Sequence, residues 1–390
     1  MRTTAKPGDM LPSPSNPAVV GNQVMQRSRP KFVVVGIPGN RRVSGFVEAV
    51  TGAGLPAPRI VGWREIVDCN YGFEAGEIVR IDSPGEDSVV DGCFRGAGES
   101  TRVEGSGQWY RHFSAAIREV TGRAEDAGAR VLGDADEIAV MFDKRRCHRR
   151  LGTAGVRVPA ALPISPRSYS ELAQHAADAG MPRVFVKLAH GSSASGVIAL
   201  QWGPRGQVRA VTSVEMGDDG VLHNSLRVRT YRNEWEIAAI VDRLVPDGLH
   251  VEQWLPKASL GGRTADVRVV VVGGVATHAV VRTSTTPLTN LHLGGSRGEL
   301  HDAVTAAGEN WSQLLELSEQ AASCFPSAPH VGVDILPGVG WRRFSVGEVN
   351  AFGDLLPGLT GLPGGPAEGL NTYQTQVASL LESENREYAR

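Results

Sequence analysis

Lys187 lies in the apolar run Val184-Phe185-Val186-Lys187-Leu188. A lysine in the middle of such a run is costly to bury without an anionic partner. Directly after it comes His190-Gly191-Ser192-Ser193-Ala194-Ser195-Gly196, with two glycines and three serines. Glycines let backbone N–H groups approach a phosphate closely, and hydroxyls add donors. Lysine and loop together read as a phosphate clamp. The Gly-x-x-x-x-Gly-Lys order of a Walker loop is absent. A plain turn beside a snorkelling lysine uses the same residues, so this pair alone leaves both readings open.

A second constellation lies near the C-terminus. Asp334 sits in Val331-Gly332-Val333-Asp334-Ile335-Leu336, and Glu348 and Asn350 sit in Ser345-Val346-Gly347-Glu348-Val349-Asn350. A period of two places Glu348 and Asn350 on one face of their strand, and an antiparallel neighbour can bring Asp334 across from them. Two carboxylates and a carboxamide make an all-oxygen donor set, suited to Mg²⁺ rather than Zn²⁺. For each residue alone, a polar position on a solvated sheet face is the stronger reading.

A third set, Asp266, Arg268 and Arg282, lies on two β-branched runs joined by Gly273-Gly274. That pattern signals a hairpin. Arginines on a strand face suit phosphoryl oxygens; basic residues that keep a hairpin soluble are the rival. With an ideal two-residue turn, 272 pairs with 275 and Arg268 faces Ala279. Arg282 then points to the opposite face, unless a bulge or a wider turn shifts the phase. Asn290-Leu291-His292-Leu293-Gly294-Gly295 follows as a loop of donors and small residues, uninformative by itself.

These groups need a scaffold. Phe32-Val33-Val34-Val35 reads as a buried strand ending in Gly36-Ile37-Pro38-Gly39-Asn40-Arg41-Arg42, with a helix from Val43, the opening of an α/β unit. Residues 59–63 form a second strand and 108–120 a helix. Residues 134–151 read as one strongly basic helix, 155–159 as a short strand and 169–179 as an amphipathic helix. Strands follow at 184–188, 197–200 and 249–255. A long helix spans 301–323, a closing hairpin 330–350, and a last helix 372–384.

Composition sets the outer limits. The 390 residues allow two or three domains at roughly 100–200 residues each. With 41% hydrophobic and 21% charged residues the chain is ordinary for a soluble protein. A net charge of -2 argues against nucleic acid or an anionic membrane as the main partner. The basic stretch 144–150 lacks interleaved aromatic platforms. No uncharged apolar run reaches the ~18 residues of a membrane span, and the N-terminus lacks the apolar core of a secretory signal. Residues 1–29, within a stretch rich in Pro, Ser, Asn and Gln, read as a disordered tail. Cys69, Cys93, Cys147 and Cys324 are far apart and form neither a disulfide framework nor a zinc site. A reduced, cytoplasmic enzyme is the expectation.

Taken in order, these pieces resemble the ATP-grasp superfamily. Val251-Glu252-Gln253-Trp254-Leu255, Asp266-Val267-Arg268, Arg282, the 290–295 loop, Gly332-Val333-Asp334 and Glu348-Val349-Asn350 are similar to the ribosomal-protein glutamate ligase branch. Phe142-Asp143-Lys144, 185–196 and 348–357 also resemble a group of bacterial ATP-grasp proteins, a likeness that gives no substrate. The resemblance covers about 135 to 360. It implies two α+β subdomains clasping ATP behind an N-terminal α/β domain. The corresponding division is a tail at 1–29, an N-terminal domain at 30–133, a clamp subdomain at 134–254 and a Mg²⁺-site subdomain at 255–390.

The same resemblance implies roles. Lys144 and Lys187 would contact phosphates under a loop of His190, Gly191, Ser192, Ser193, Ser195 and Gly196. Glu252, Gln253 and Trp254 would form the adenine hinge. Asp334, Glu348 and Asn350 would hold Mg²⁺, usually two ions, and Arg268, Arg282 and Asn290 would face the acyl phosphate and acceptor. Two departures bear on the substrate: Ala351-Phe352-Gly353-Asp354 replaces Ser and Pro-Gly of that branch, and the N-terminal domain shows no match. The expected reaction joins a small-molecule or peptide carboxylate to an amine. A kinase on the same fold that phosphorylates a small hydroxylated molecule and a nucleotide-gated module that binds a peptide or protein are the alternatives; a homodimer is suggested by analogy with the relatives alone. Asn40, Arg41 and Arg42 are candidates for an anionic substrate group, and Trp109-Tyr110-Arg111-His112-Phe113 for a pocket wall; a solvated basic turn and helix packing are the rival readings.

Overall fold

The computed structural model describes residue 1 and residues 29–96, 102–191, 194–353 and 358–387. The expected tail falls almost wholly on residues 2–28, outside the described residues. The described chain builds three sheets, met in chain order.

The first sheet is parallel, in the order β2-β1-β3-β4, with β1 (Lys31–Gly36), β2 (Arg59–Gly62), β3 (Glu77–Ile81) and β4 (Arg130–Leu132). Phe32 to Val35 are all buried, as a strand covered on both faces requires. One face packs on helices Arg41–Gly52 and Thr372–Glu387, and the other on helix Ser106–Asp126. The second strand stops at Gly62, because Trp63 opens helix Trp63–Val67.

The second sheet is antiparallel, in the order β8-β7-β6-β5-β9: β5 (Arg183–Leu188), β6 (Ile198–Trp202), β7 (Val208–Met216), β8 (Leu222–Tyr231) and β9 (Leu249–Gln253). Val184, Val186 and Leu188 of β5, with Leu249 and Val251 of β9, pack on helices Tyr169–Asp178 and Glu234–Leu244. The period of two turns Phe185, Lys187, His250 and Glu252 to the other face.

The third sheet has the order β13-β12-β11-β14-β15, with β10 against β11: β10 (Ser259–Leu260), β11 (Arg263–Val272), β12 (Val275–Ser284), β13 (Ser296–Gly298), β14 (His330–Pro337) and β15 (Phe344–Asn350). Helix Trp311–Ser323 covers its back.

Three expected elements differ. Residues 134–151 form two helices, Ala135–Met141 and Lys144–Thr153. Asp143 breaks the run by capping the second helix, its carboxylate accepting from the amides of Arg145 and Arg146. Residues 155–159 form no strand: Gly155 belongs to a turn with φ 78°, and 156–159 join no ladder. The helix expected over 301–323 is divided into Leu300–Ala307 and Trp311–Ser323 at Gly308, whose φ of 53° favours glycine. Among the described residues, no helix is long and apolar enough to cross a membrane.

Candidate active site

The helix-free face of the second sheet meets the third sheet across a cluster of paired charges. On β5 and β9, Lys187 lies opposite His250, and Phe185 opposite Glu252. The Lys187 ammonium donates to Glu252 Oε1 at 2.5 Å. His250 Nε2 lies 3.1 Å from Glu252 Oε2; a carboxylate only accepts, so this nitrogen carries the proton. Burial alone raises the Glu252 pKa, but Lys187 and His250 outweigh it and hold the carboxyl down at about 2. Burial lowers the Lys187 pKa, and Glu252, Glu348 and Asp334 more than reverse that, so the lysine stays charged.

Lys144 opens helix Lys144–Thr153, where Asp143 fixes the first turn. Its ammonium donates to Glu348 Oε1 at 2.6 Å and to the Gly191 carbonyl at 2.7 Å. One lysine thereby ties β15 to the Gly/Ser loop. In that loop Gly196 has φ 69°, and a Cβ there would stand 2.7 Å from Leu188 Cδ1, so a side chain does not fit. Ser195 is half-buried in the same turn. Ser192 and Ser193 lie outside the described residues. His190 stacks on Tyr110 with centroids 3.9 Å apart, and burial lowers its pKa to about 4, leaving a neutral ring.

The hinge segment is also partly engaged. The Gln253 amide donates to the Ala160 carbonyl at 2.7 Å and the Trp254 amide to the Arg183 carbonyl at 3.1 Å. The Trp254 ring lies 5.4 Å from that of Phe185, on the Lys187 side of the sheet.

The two arginines of the third sheet come together through a bulge. Val271 pairs with Ala276, but Val270 pairs with His278, so Thr277 is the extra residue. Arg268 therefore faces Val280, and Asp266 faces Arg282. Of the two registers left open, the bulged one holds, and Arg282 shares the face of Arg268. Arg268 grips Asp334 with two nitrogens, Nε on Oδ1 and Nη2 on Oδ2 at 2.9 Å. Arg282 Nη2 reaches Asp334 Oδ2 at 3.1 Å, while its Nε donates to Asp266 Oδ1 at 2.7 Å. Burial raises the Asp334 pKa, but the two guanidiniums outweigh it and hold it well below the usual carboxylate range. Asp266 Oδ2 in turn accepts from the Thr289 hydroxyl, and Lys257 Nζ donates to that hydroxyl at 3.0 Å.

The oxygen trio is gathered. Asp334 stands directly opposite Glu348, and Gly332 opposite Asn350, with a second bulge at Gly347. Among the described residues, no three His, Cys, Asp or Glu side chains form a ligand cluster; the third donor here is a carboxamide. The Asn350 amide nitrogen donates to the Gly332 carbonyl at 3.3 Å, which leaves its oxygen for a cation, and the Lys144 bond uses only one oxygen of Glu348. This set fits an oxygen-seeking divalent ion. Asn290 is placed differently: its side-chain oxygen accepts from the His292 amide at 2.8 Å and so caps its own turn.

Other candidates resolve by geometry. Asn40 caps helix Arg41–Gly52 and donates to Glu86, and Arg42 lies 3.9 Å from buried Asp82. Phe113 is core, stacked on Trp109 at 4.9 Å, whereas Tyr110 of the same segment stacks on His190, so the segment divides between packing and the edge of the clamp loop. A small cavity of about 20 Å³ touches Lys144, Cys147, Lys187, His250 and Glu348. A larger hollow of about 410 Å³ at the outer edge of β2 contains no residue of the charge cluster; the chemistry points to the small one. His250, Thr289 and Lys257 are the members of the cluster absent from the sequence-derived site, and Asp266, singled out there without a role, is the partner of Arg282. His250 is the legible one, two residues from Glu252 on a strand.

No family model matches the sequence, and no curated protein matches it. Solved structures do. D-cycloserine synthetase superposes with a TM-score of 0.55 at 13% identity, covering 90% of this chain and 99% of that one. The ATP-grasp ligase PsnB in complex with a minimal precursor gives 0.50 at 16% identity, covering 91% and 100%. With two antiparallel sheets meeting over the charge cluster behind a parallel N-terminal sheet, the chain has the ATP-grasp fold.

Proposed function

We propose that this chain is an ATP-dependent carboxylate–amine ligase that forms an amide bond through an acyl phosphate, releasing ADP and phosphate, with an amino acid or peptide as substrate. One observation carries the reading. Lys144, Lys187, Arg268 and Arg282, from four elements, converge with Glu252, Asp334 and Glu348 in one largely buried cluster. Buried ion pairs contribute little net stability, so their concentration here is explained by a highly charged ligand. Sharing a fold with a synthetase and a ligase agrees with this.

Each residue has a role in this account. Lys144 and Lys187 exchange their carboxylate partners for phosphate oxygens. His190, Gly191, Ser195 and Gly196, with Ser192 and Ser193, cover those phosphates. Glu252, Gln253 and Trp254 border the base. Asp334, Glu348 and Asn350 hold Mg²⁺, and two ions are proposed. Mg²⁺, when bound, neutralises phosphate charge and orients the leaving oxygen. Arg268 and Arg282 stabilise charge on the phosphoryl group and its acyl product, and Asn290 borders the acceptor side. Excluding water protects the acyl phosphate from hydrolysis.

The test is a hydroxylamine trap with Mg-ATP and pooled amino acids, small acids and peptides. ADP together with a hydroxamate is the expected result, and its mass identifies the acid. ADP without hydroxamate favours a kinase. Bound ATP with neither product favours a nucleotide-gated binding module.

A further inference from the structure

The charge cluster holds five cations, Lys144, Lys187, Lys257, Arg268 and Arg282, and four carboxylates, Glu252, Asp266, Asp334 and Glu348. Four of the cations have an acidic partner. Lys257 is the exception among the described residues: its ammonium bonds the Thr289 hydroxyl, and it forms no ion pair. The hydroxyl is itself committed to Asp266, so it accepts from Lys257 while donating to the carboxylate.

The position of Lys257 is as informative as its partner. It follows the hinge residues 252–254 and precedes β10, on the strip of chain that joins the second sheet to the third. Its backbone bridges Gly338, just beyond β14. Asp266 on β11, Arg282 on β12, Lys187 on β5 and Asp334 on β14 all act on its charge. Burial together with the neighbouring cations pushes its pKa down to about 8, against a partial counter-effect of Asp266 and Asp334. A lysine kept there against this cost is matched to an anion that arrives with the ligand.

We infer that Lys257 is a further phosphoryl-binding residue of this site, its ammonium taking the terminal phosphate of a nucleoside triphosphate. The inference rests on the nucleotide-binding part of the proposed function. In the transfer, a substrate carboxylate oxygen bonds to Pγ as the bond from Pγ to the β–γ bridging oxygen breaks. ADP leaves with that electron pair. The nonbridging oxygens of Pγ keep their negative charge throughout, and Lys257 bonds one of them from the hinge side, opposite the arginine pair in the charge balance. Thr289 holds the ammonium in place before the nucleotide arrives.

The experiment is calorimetric titration of the full chain and of Lys257→Met with Mg-ADP and with Mg-AMPPNP, which differ by the terminal phosphate. Loss of a charge-assisted contact to that phosphate alone weakens AMPPNP about tenfold and leaves ADP within about twofold. Lys257→Arg restores AMPPNP binding to within about threefold. The melting temperature of Lys257→Met is no lower than that of the wild type, because a half-buried charge without a carboxylate partner has been removed; should it be lower, Lys257→Gln provides the same comparison. Equal weakening of both nucleotides, or none for AMPPNP, overturns the inference while leaving the ligase reading standing. Failure of the wild type to bind either nucleotide overturns the reading itself, and Lys257 with it.

Discussion

Asp334 and Glu348 face each other at one position of the β14–β15 ladder, yet each is neutralised from a different direction. Asp334 takes Arg268 and Arg282 from its own sheet, while Glu348 takes Lys144 from a helix outside it. Two like charges directly opposite repel on an ordinary sheet. Here the repulsion is held in check by these three cations; in the proposed function a phosphate draws them away and frees the carboxylates for a metal.

Removing either carboxylate should abolish turnover, with different structural costs. Glu348→Gln keeps the shape, and its half-buried Lys144 partner retains the Gly191 carbonyl; the melting temperature should change little. Asp334→Ala strips a buried partner from two arginines, which costs about 3–5 kcal/mol. Asp334→Asn should be gentler on the fold and equally inactive. Steady-state ADP release and thermal melts check both; a near-wild-type rate in Glu348→Gln contradicts the metal assignment.

Arg282→Ala should lower kcat by about a hundredfold or more and nucleotide affinity far less. It should also destabilise the chain, since Asp266 and Asp334 both lose a buried partner. Kinetics and calorimetry on the same preparation separate the two effects. An unchanged kcat would mean that this guanidinium is structural only.

Gly196→Ala tests the loop. The methyl group meets Leu188 in a φ of 69°, and the strain is about 1–2 kcal/mol. The affinity for Mg-ATP should fall by about tenfold while secondary structure by circular dichroism is retained. Unaltered affinity would remove the loop from the phosphate site.

Acid should loosen the fold before the carboxylates titrate. Burial lowers the His330 pKa from 6.5 to about 3. Between those values the unfolded chain binds a proton that the folded chain does not, so stability is lost as pH falls through 6.5. By pH 5 this one residue costs about 2 kcal/mol relative to pH 7. Urea midpoints at the two pH values measure it, and His330→Gln should remove that share of the dependence, leaving the part due to His190.

Much of this site is readable as spacing. Lys187 stands out because an apolar strand has no other use for an ammonium, and Glu348 and Asn350 share a face by the period of two. The parallel opening sheet follows from an unbroken apolar run at Phe32 to Val35. Other features are set by tertiary contacts. A single extra residue, Thr277, reverses the face of Arg282, and the sequence Val275 to Arg282 carries no mark of it. Asp143 is a helix cap hidden inside a basic run that looks continuous. Lys257 is one lysine in a connecting strip, and only its neighbours in space give it a role. Of the clamp loop, Ser192 and Ser193 fall outside the described residues.

The central claim is that the cluster activates a carboxylate as its acyl phosphate. The most direct test uses the acid identified by the hydroxylamine trap, labelled with ¹⁸O in its carboxylate, with Mg-ATP and the acceptor amine. Mass spectrometry of the released phosphate should show one labelled oxygen per turnover. Phosphate released without label, while product forms, would contradict the account.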